Sequence, residues 1–462
     1  MPEHLIEADA QAIEITALRK SELSGWLDPQ PDRLRGWIKA TGFCAEPGSV
    51  CLVPGEDGGL DRVLFGLAED ADLWAYAALP AKLPAGAYRL SPEPPPPLAE
   101  RAALGWALAT YAYERYKSKA AKPPPRLVWP ESCDRARVEA AHDAIALVRD
   151  LVNTPASDMG PAELTHAAER LAARFGAQCR VVVGDGLLAE NYPAIHAVGR
   201  AAASHRRPRL ADLTWGDEAN PRLTLVGKGV CFDTGGLDLK PSSNMKLMKK
   251  DMGGAAHVLG LASMIMAARL PVRLRVLIPA VENSVSGDAM RPLDVLATRK
   301  GLTVEIGNTD AEGRLILADA LFEASRDKPK LLIDFATLTG AARSALGPDL
   351  PALFTDNEQL ARTLLDAGDA ESDPLWRLPL HKPYRRMLDS KVADLVNASD
   401  SPHAGAITAA LFLQEFVDPD IAWAHLDVLA WNGSSRPGRP EGGEAQGLRA
   451  VFAAIAKLFP AK

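Results

Sequence analysis

Leu223 to Gly254 reads LTLVGKGVCFDTGGLDLKPSSNMKLMKKDMGG. A near-continuous apolar strand, Arg222 to Val226, has the composition of a segment buried on both faces of a sheet. It runs into a Gly-rich loop carrying Lys228, Asp233, Asp238, Lys240 and Asp251. The next apolar stretch, Gly253 to Ala268, has the length of a helix. Strand, charged loop and helix in that order form the repeating unit of an α/β fold. In such sheets ligands bind beyond the carboxyl ends of the strands, so the same loop marks the expected site.

Working outward, Glu163 to Arg174 reads as a helix and Cys179 to Val183 as a strand. Leu274 to Ala280 and Leu331 to Phe335 read as strands, with Asp319 to Ser325 as a helix between them. Upstream, the proline runs Pro92 to Pro97 and Pro123 to Pro125 mark loops or stiff linkers. Between them Leu98 to Lys117 has helical spacing, and Ser49 to Val53 and Arg62 to Leu67 resemble short strands. Glu131 to Val152 reads as a helix, ended by Asn153-Thr154-Pro155. The expected organisation is α/β throughout. A smaller N-terminal α/β domain (1–130) and a connecting helix (131–152) lead to a larger C-terminal α/β domain (153–462). The latter is expected to hold a central mixed, mostly parallel sheet flanked by helices.

With 462 residues, 47% hydrophobic and 24% charged, the chain has a globular composition, which excludes a disordered or disulfide-stapled class. A formal net charge of −7 argues against nucleic acid as a partner. The five cysteines are odd in number and form no CxxC pair, which points to free thiols in a reducing compartment. The N-terminus, MPEHLIEADAQAIEITALRK, lacks a basic segment followed by an apolar one, so no secretory signal is expected. Ala255 to Leu270, the most apolar stretch, is too short and interrupted to span a bilayer. The expectation is a cytoplasmic protein with no membrane partner.

A second informative stretch, Val304 to Asp319, reads VEIGNTDAEGRLILAD. If extended, it would point Asp310, Glu312 and Arg314 the same way. Asp233, Asp251, Asp310 and Glu312 then supply the carboxylates of a site in which like charges need a cation between them. A pair of divalent ions satisfies that need with oxygen-rich ligands and no histidine. On spacing alone, other readings stay open: Asp251 as a first-turn helix acid, and Asp310 and Glu312 as a solvated face paired to arginines.

VGKGVCFDTGG, KPSSNMKLMKKDMGGAA and NTDAEGRLILADAL together resemble the leucyl (cytosol) aminopeptidase family of binuclear metallopeptidases. DFATLTGA, ADLVN, AGAITAALFLQEFV and AHLDVLAW follow in the family's order, so the resemblance covers roughly Val148 to Leu458. It implies hydrolysis of the N-terminal residue of peptides by a metal-bridged water. It makes Lys228, Asp233, Asp251, Asp310 and Glu312 the ligands of two divalent ions, Zn or Mn, with Mg or Co as further options. It assigns Lys240 to the oxyanion and Arg314 to a bicarbonate acting as general base. It maps the side-chain pocket to Met248, Thr337, Gly340, Leu429 and Asn432. Leu429 stands where a smaller residue is common and Asn432 where an apolar one is, so a preference for leucine does not follow. The partners implied are peptides with a free N-terminus and five further copies of the chain in a homohexamer.

Overall fold

The computed structural model describes residues 4–118 and 123–460. The chain forms two compact units, one of Met1–Ala146 with Ser434–Glu441, the other of Leu147–Gly433 with Gly442–Lys462. The division falls inside the helix Arg135–Asn153.

The first unit carries a six-stranded sheet, ordered Leu5–Ile6, Arg126–Val128, Ala87–Leu90, Ile13–Arg19, Leu60–Leu67, Val50–Pro54. Its pairs are parallel except the last, which is antiparallel. Leu18, Ile38, Phe43, Val53 and Leu64 pack together on one side. The helix read at Leu98 to Lys117 is in fact Pro96–Ala109. It begins inside the proline run because proline is tolerated in a first turn, where its missing N–H has no partner anyway.

The second unit is built on a nine-stranded sheet. Eight of its strands are ordered Trp376–Arg377, Ala352–Phe354, Ala422–Asp427, Leu331–Ala336, Arg222–Gly227, Arg273–Asn283, Arg209–Trp215, Gln178–Val183, and the ninth, Gly229–Asp233, pairs with Arg273–Asn283. The central strands run parallel, and antiparallel pairs occur towards both edges, as a mixed, mostly parallel sheet requires. Leu331–Ala336 is buried at every position, which explains its unbroken apolar run.

The sequence reading ends a strand at Val226 and begins a loop there. The structure instead continues with a second strand, Gly229–Asp233, which also pairs with Arg273–Asn283. Lys228 is the break between the two. Its N–H donates to Phe335 O, and its carbonyl accepts from Ala255 N. The loop therefore opens only at Thr234.

The helix Gly253–Ala267 starts against this break. A methyl on Gly254 would lie 2.2 Å from the carbonyl oxygen of Phe335. The helix can approach the central strands this closely only without a side chain there. Gly254→Ala is expected to cost about 3 kcal/mol, because a backbone carbonyl in a packed core cannot give way. Denaturant unfolding measures it.

Candidate metal centre

Both charged stretches end at the same edge of the nine-stranded sheet. Asp233 terminates its strand, and Asn283, at the end of the neighbouring strand, donates to Asp233 Oδ1 (2.8 Å) and to Thr309 O (3.1 Å). One amide thus ties the two stretches together. Asp238 adds a second tie, accepting from Thr309 N at 2.7 Å while its own N–H donates to Thr309 Oγ1.

Asp310, Glu312 and Arg314 do not lie on an extended segment. A helix runs from Glu312 to Arg326, so it begins well before the Asp319 read from sequence. Glu312 and Arg314 lie in its first turn, about 200° apart around the axis. Asp310 sits in the preceding turn, and the acid in a first turn is favoured by the helix dipole. The carboxylates converge because the turn brings Asp310 round beside the helix start. Asp233, Asp310 and Glu312 each place a carboxylate oxygen within 4.8 Å of the other two.

Asp251 ends a short 3-10 turn, Met248–Lys250, and the following helix is capped from Met252. Its side chain caps nothing. It accepts from Thr337 Oγ1 at 2.8 Å and faces Lys228 Nζ at 2.7 Å. Lys228 Nζ donates to Thr337 O (2.8 Å) and lies 3.2 Å from Glu312. A methyl on Gly313 would fall 2.5 Å from Lys228 Cε, so that glycine leaves room for the ammonium. Lys240 Nζ bridges Asp233 (2.9 Å) and Asp310 (2.5 Å).

The electrostatics follow from burial and crowding. Burial and then Asp233 raise the Glu312 carboxyl to about 8. The same two causes raise Asp310 to about 6. Burial alone would lower Lys228, but Asp251, Glu312 and Asp233 outweigh it and hold the ammonium above its ordinary value. Lys240 is raised in the same way by Asp233 and Asp310 against its burial.

The lysines do not complete the site. Asp251 Oδ2, Asp310 Oδ1 and Glu312 Oε1 are buried and touch only a lysine ammonium each, without a well-aligned hydrogen bond, and Glu312 Oε2 is buried with no hydrogen-bond partner. Buried oxygens left in that state are costly unless something else occupies them. An all-carboxylate set with one amine, crowded and under-bonded, fits a pair of hard or borderline divalent ions.

Arg314 is held from one side. One guanidinium nitrogen donates to Asn397 O, and the Phe412 ring centroid lies 6.0 Å from its carbon. Its Nε is buried with no hydrogen-bond partner. Burial lowers its pKa to about 10, so the group stays cationic at neutral pH. Asn397 also fixes the loop beneath: its side-chain oxygen accepts from Gly307 N and Asn308 N. Its amide donates to Asn308 O and Ala311 O.

A cleft of about 430 Å³ opens here. Lys228, Asp233, Lys240, Asp251, Asp310 and Arg314 line it, with Glu312 buried behind. Met248, Thr337, Gly340 and Leu429 also face it. Asn432 does not; it is buried in a short strand, Trp431–Asn432. The hydroxyl of Thr337 is committed to Asp251 rather than to the cleft.

Other candidates take no part. His257 is neutral by geometry, with Nδ1 on Gly253 O and Nε2 accepting from Gln446 N. Buried His425 is locked against Asp334 at 2.6 Å. Cys231 is buried, and burial raises its thiol well above the ordinary value, the reverse of an activated nucleophile. The reading of sequence missed Asn283 and Asn397, since a lone asparagine carries no pattern. The structure also buries Lys250, one of several lysines in its loop, on the cleft.

Comparison with known proteins finds relatives for both parts of the chain. The model described as "Cytosol aminopeptidase family, catalytic domain" matches residues 146–452. The model for the M17 aminopeptidase N-terminal domain matches residues 13–130. A probable cytosol aminopeptidase of Syntrophotalea carbinolica is 43% identical over 367 residues, covering 75% of this chain and 73% of its own. Another, from Geobacter sulfurreducens, is 42% identical over 377 residues, covering 78% and 75%. The crystal structure of a cytosol aminopeptidase from Coxiella burnetii superposes with a TM-score of 0.94 at 50% identity, over 98% of each chain. The bottromycin maturation enzyme BotP in complex with Mn superposes at 0.85 and 36% identity, over 97% of this chain and 100% of its own.

Proposed function

The chain belongs to the cytosol aminopeptidase family of metallo-aminopeptidases, and we propose that it releases the N-terminal residue of peptides at two divalent ions held by Lys228, Asp233, Asp251, Asp310 and Glu312. The observation that carries this reading is the set of buried, under-bonded carboxylate oxygens converging at the sheet edge. When bound, such a pair of ions lowers the pKa of a bridging water and polarises the carbonyl of the scissile bond.

The protein's own groups supply the rest. Asn283 and Thr337 fix the carboxylates of Asp233 and Asp251, so the ligands are oriented before any substrate arrives. Lys240 is the cation placed to hold the carbonyl oxygen as negative charge develops on it. Arg314 lines the cleft, its buried Nε has no hydrogen-bond partner, and a planar guanidinium suits a planar anion such as bicarbonate. Arg314 is the residue that would hold such an anion, which when bound would supply a general base beside the ions. The free α-amine of a peptide is the group the ion-lined end would select, which makes the enzyme an exopeptidase.

Zn or Mn is the expected metal. A chelator-treated sample is expected to lose hydrolysis of aminoacyl amides, and Zn or Mn added back is expected to restore it. Hydrolysis that survives full metal removal would sink the reading. We place the enzyme in the cytoplasm as a homohexamer. Exposed Leu293, Val295 and Val392 offer apolar surface for association, and sedimentation measures the assembly.

A further inference from the structure

The cleft holds a cation that the proposed chemistry does not use. Lys250 directly precedes Asp251, is only 6% exposed and lines the cleft. The nearest carboxylate oxygen to its ammonium is Asp251 Oδ1, at 4.0 Å. That oxygen already accepts from Thr337. A buried ammonium is unfavourable unless an anion or well-placed acceptors compensate it. The neighbouring Lys249 shows the satisfied alternative: it donates to Asn153 O and lies over the Trp431 ring.

A second cation faces the same cleft. Arg343, on the helix Gly340–Leu346, lines it and forms no side-chain hydrogen bond or ion pair among the described residues. Burial disfavours the Lys250 ammonium, Asp251 and Asp427 favour it, and Lys228 and Arg343 oppose it. Asp427 does not answer Lys250 by contact, because its oxygens accept from Leu338 N, Thr339 N and Thr339 Oγ1. Two positive groups therefore line one cleft, and no carboxylate oxygen comes closer than 4.0 Å to the Lys250 ammonium.

We propose that Lys250, assisted by Arg343, forms a carboxylate subsite that selects peptides beginning with an acidic residue, aspartate or glutamate. The proposal rests on the aminopeptidase reading above. It falls to the first residue of the substrate because Lys250 adjoins a proposed ligand and lies two positions from Met248. Arg343 shares a helix with Gly340, and Met248, Gly340 and Leu429 line the same cleft. The residue being released is the one whose amine and carbonyl face the ligands, so its side chain is the group within reach. A charge-assisted hydrogen bond there separates an acid from its amide of the same shape.

The test uses the full-length, metal-loaded enzyme and three substrates with blocked C-termini: Glu-, Gln- and Leu-p-nitroanilide. The wild type is expected to favour Glu over Gln in kcat/KM by at least about tenfold. Lys250→Met is expected to bring that ratio to about one, Arg343→Ala to reduce it, and Lys250→Arg to retain most of it. A wild-type ratio of one or below would overturn the subsite, and needs no variant to be seen. An equal loss on all three substrates in Lys250→Met would also overturn it, making Lys250 a positioning residue for Asp251. Comparison of Leu-Gly with Leu-Gly-amide separates the other source of a carboxylate. If preference follows the free C-terminus instead, the assignment to the first side chain falls. Failure to cleave any substrate, with metal bound, would bring down the aminopeptidase reading itself and the subsite with it.

Discussion

Asp310→Asn is expected to lower kcat/KM for an aminoacyl amide by about 10³-fold or more, equivalent to about 4 kcal/mol of transition-state stabilisation. Asp310 supplies one of three carboxylates whose oxygens lie within 4.8 Å of one another. An amide has nearly the same shape but gives up the negative charge that holds a divalent ion. The same substitution should leave the ion-free protein folded, with an unchanged or higher Tm. Burial and Asp233 already disfavour the Asp310 anion, so neutralising it removes repulsion. Kinetics, bound-metal content and calorimetry of the stripped protein together check the claim. Full activity with normal metal content would remove Asp310 from the site. A collapse in ion-free stability would mean that its pair with Lys240 outweighs the repulsion.

Lys228→Met acts in the opposite sense. Lys228 is 3% exposed and sits between Asp251 and Glu312. Removing the cation leaves both acids buried against each other and against Asp233. Breaking a buried ion pair from one side typically costs about 3–5 kcal/mol, and that loss is expected in the ion-free protein. Divalent ions should recover part of it, because they supply the missing positive charge, while hydrolysis stays impaired. Urea unfolding with and without metal measures both. Equal stability of the variant and the wild type without metal would show that Lys228 does not carry the charge balance.

The α/β class and its central strands were legible because strands buried on both faces read as apolar runs. Arg222–Gly227 and Leu331–Ala336 are of that kind. Arg209–Trp215, second from the edge of the sheet and of mixed burial, gave no comparable signal. The acids that converge at the cleft were legible through two dense motifs, not through spacing. Spacing made Asp310 to Arg314 extended, whereas a helix begins at Glu312. What brings these residues together is a turn held by Asn283 and Asn397, at distances of 26 and 83 or more positions along the chain. Such ties are invisible in sequence because each depends on a partner that only the tertiary fold supplies. Lys250 shows the same limit: in sequence it is one of several lysines in a loop, and only burial singles it out.

The break at Lys228 has a consequence for the order of assembly. Its neighbours in the sheet, Arg273–Asn283 and Leu331–Ala336, lie far along the chain and pair in parallel. Parallel pairing closes long loops before it gains contacts, so it comes late and slowly in folding. Until those strands are in register, Lys228, Asp233 and Glu312 are strangers, and no early intermediate can hold an ion between them. The chain must therefore gather these acids before any ion could sit between them, and Lys228 and Lys240, set against Asp251, Glu312, Asp233 and Asp310, are the counterions it already carries.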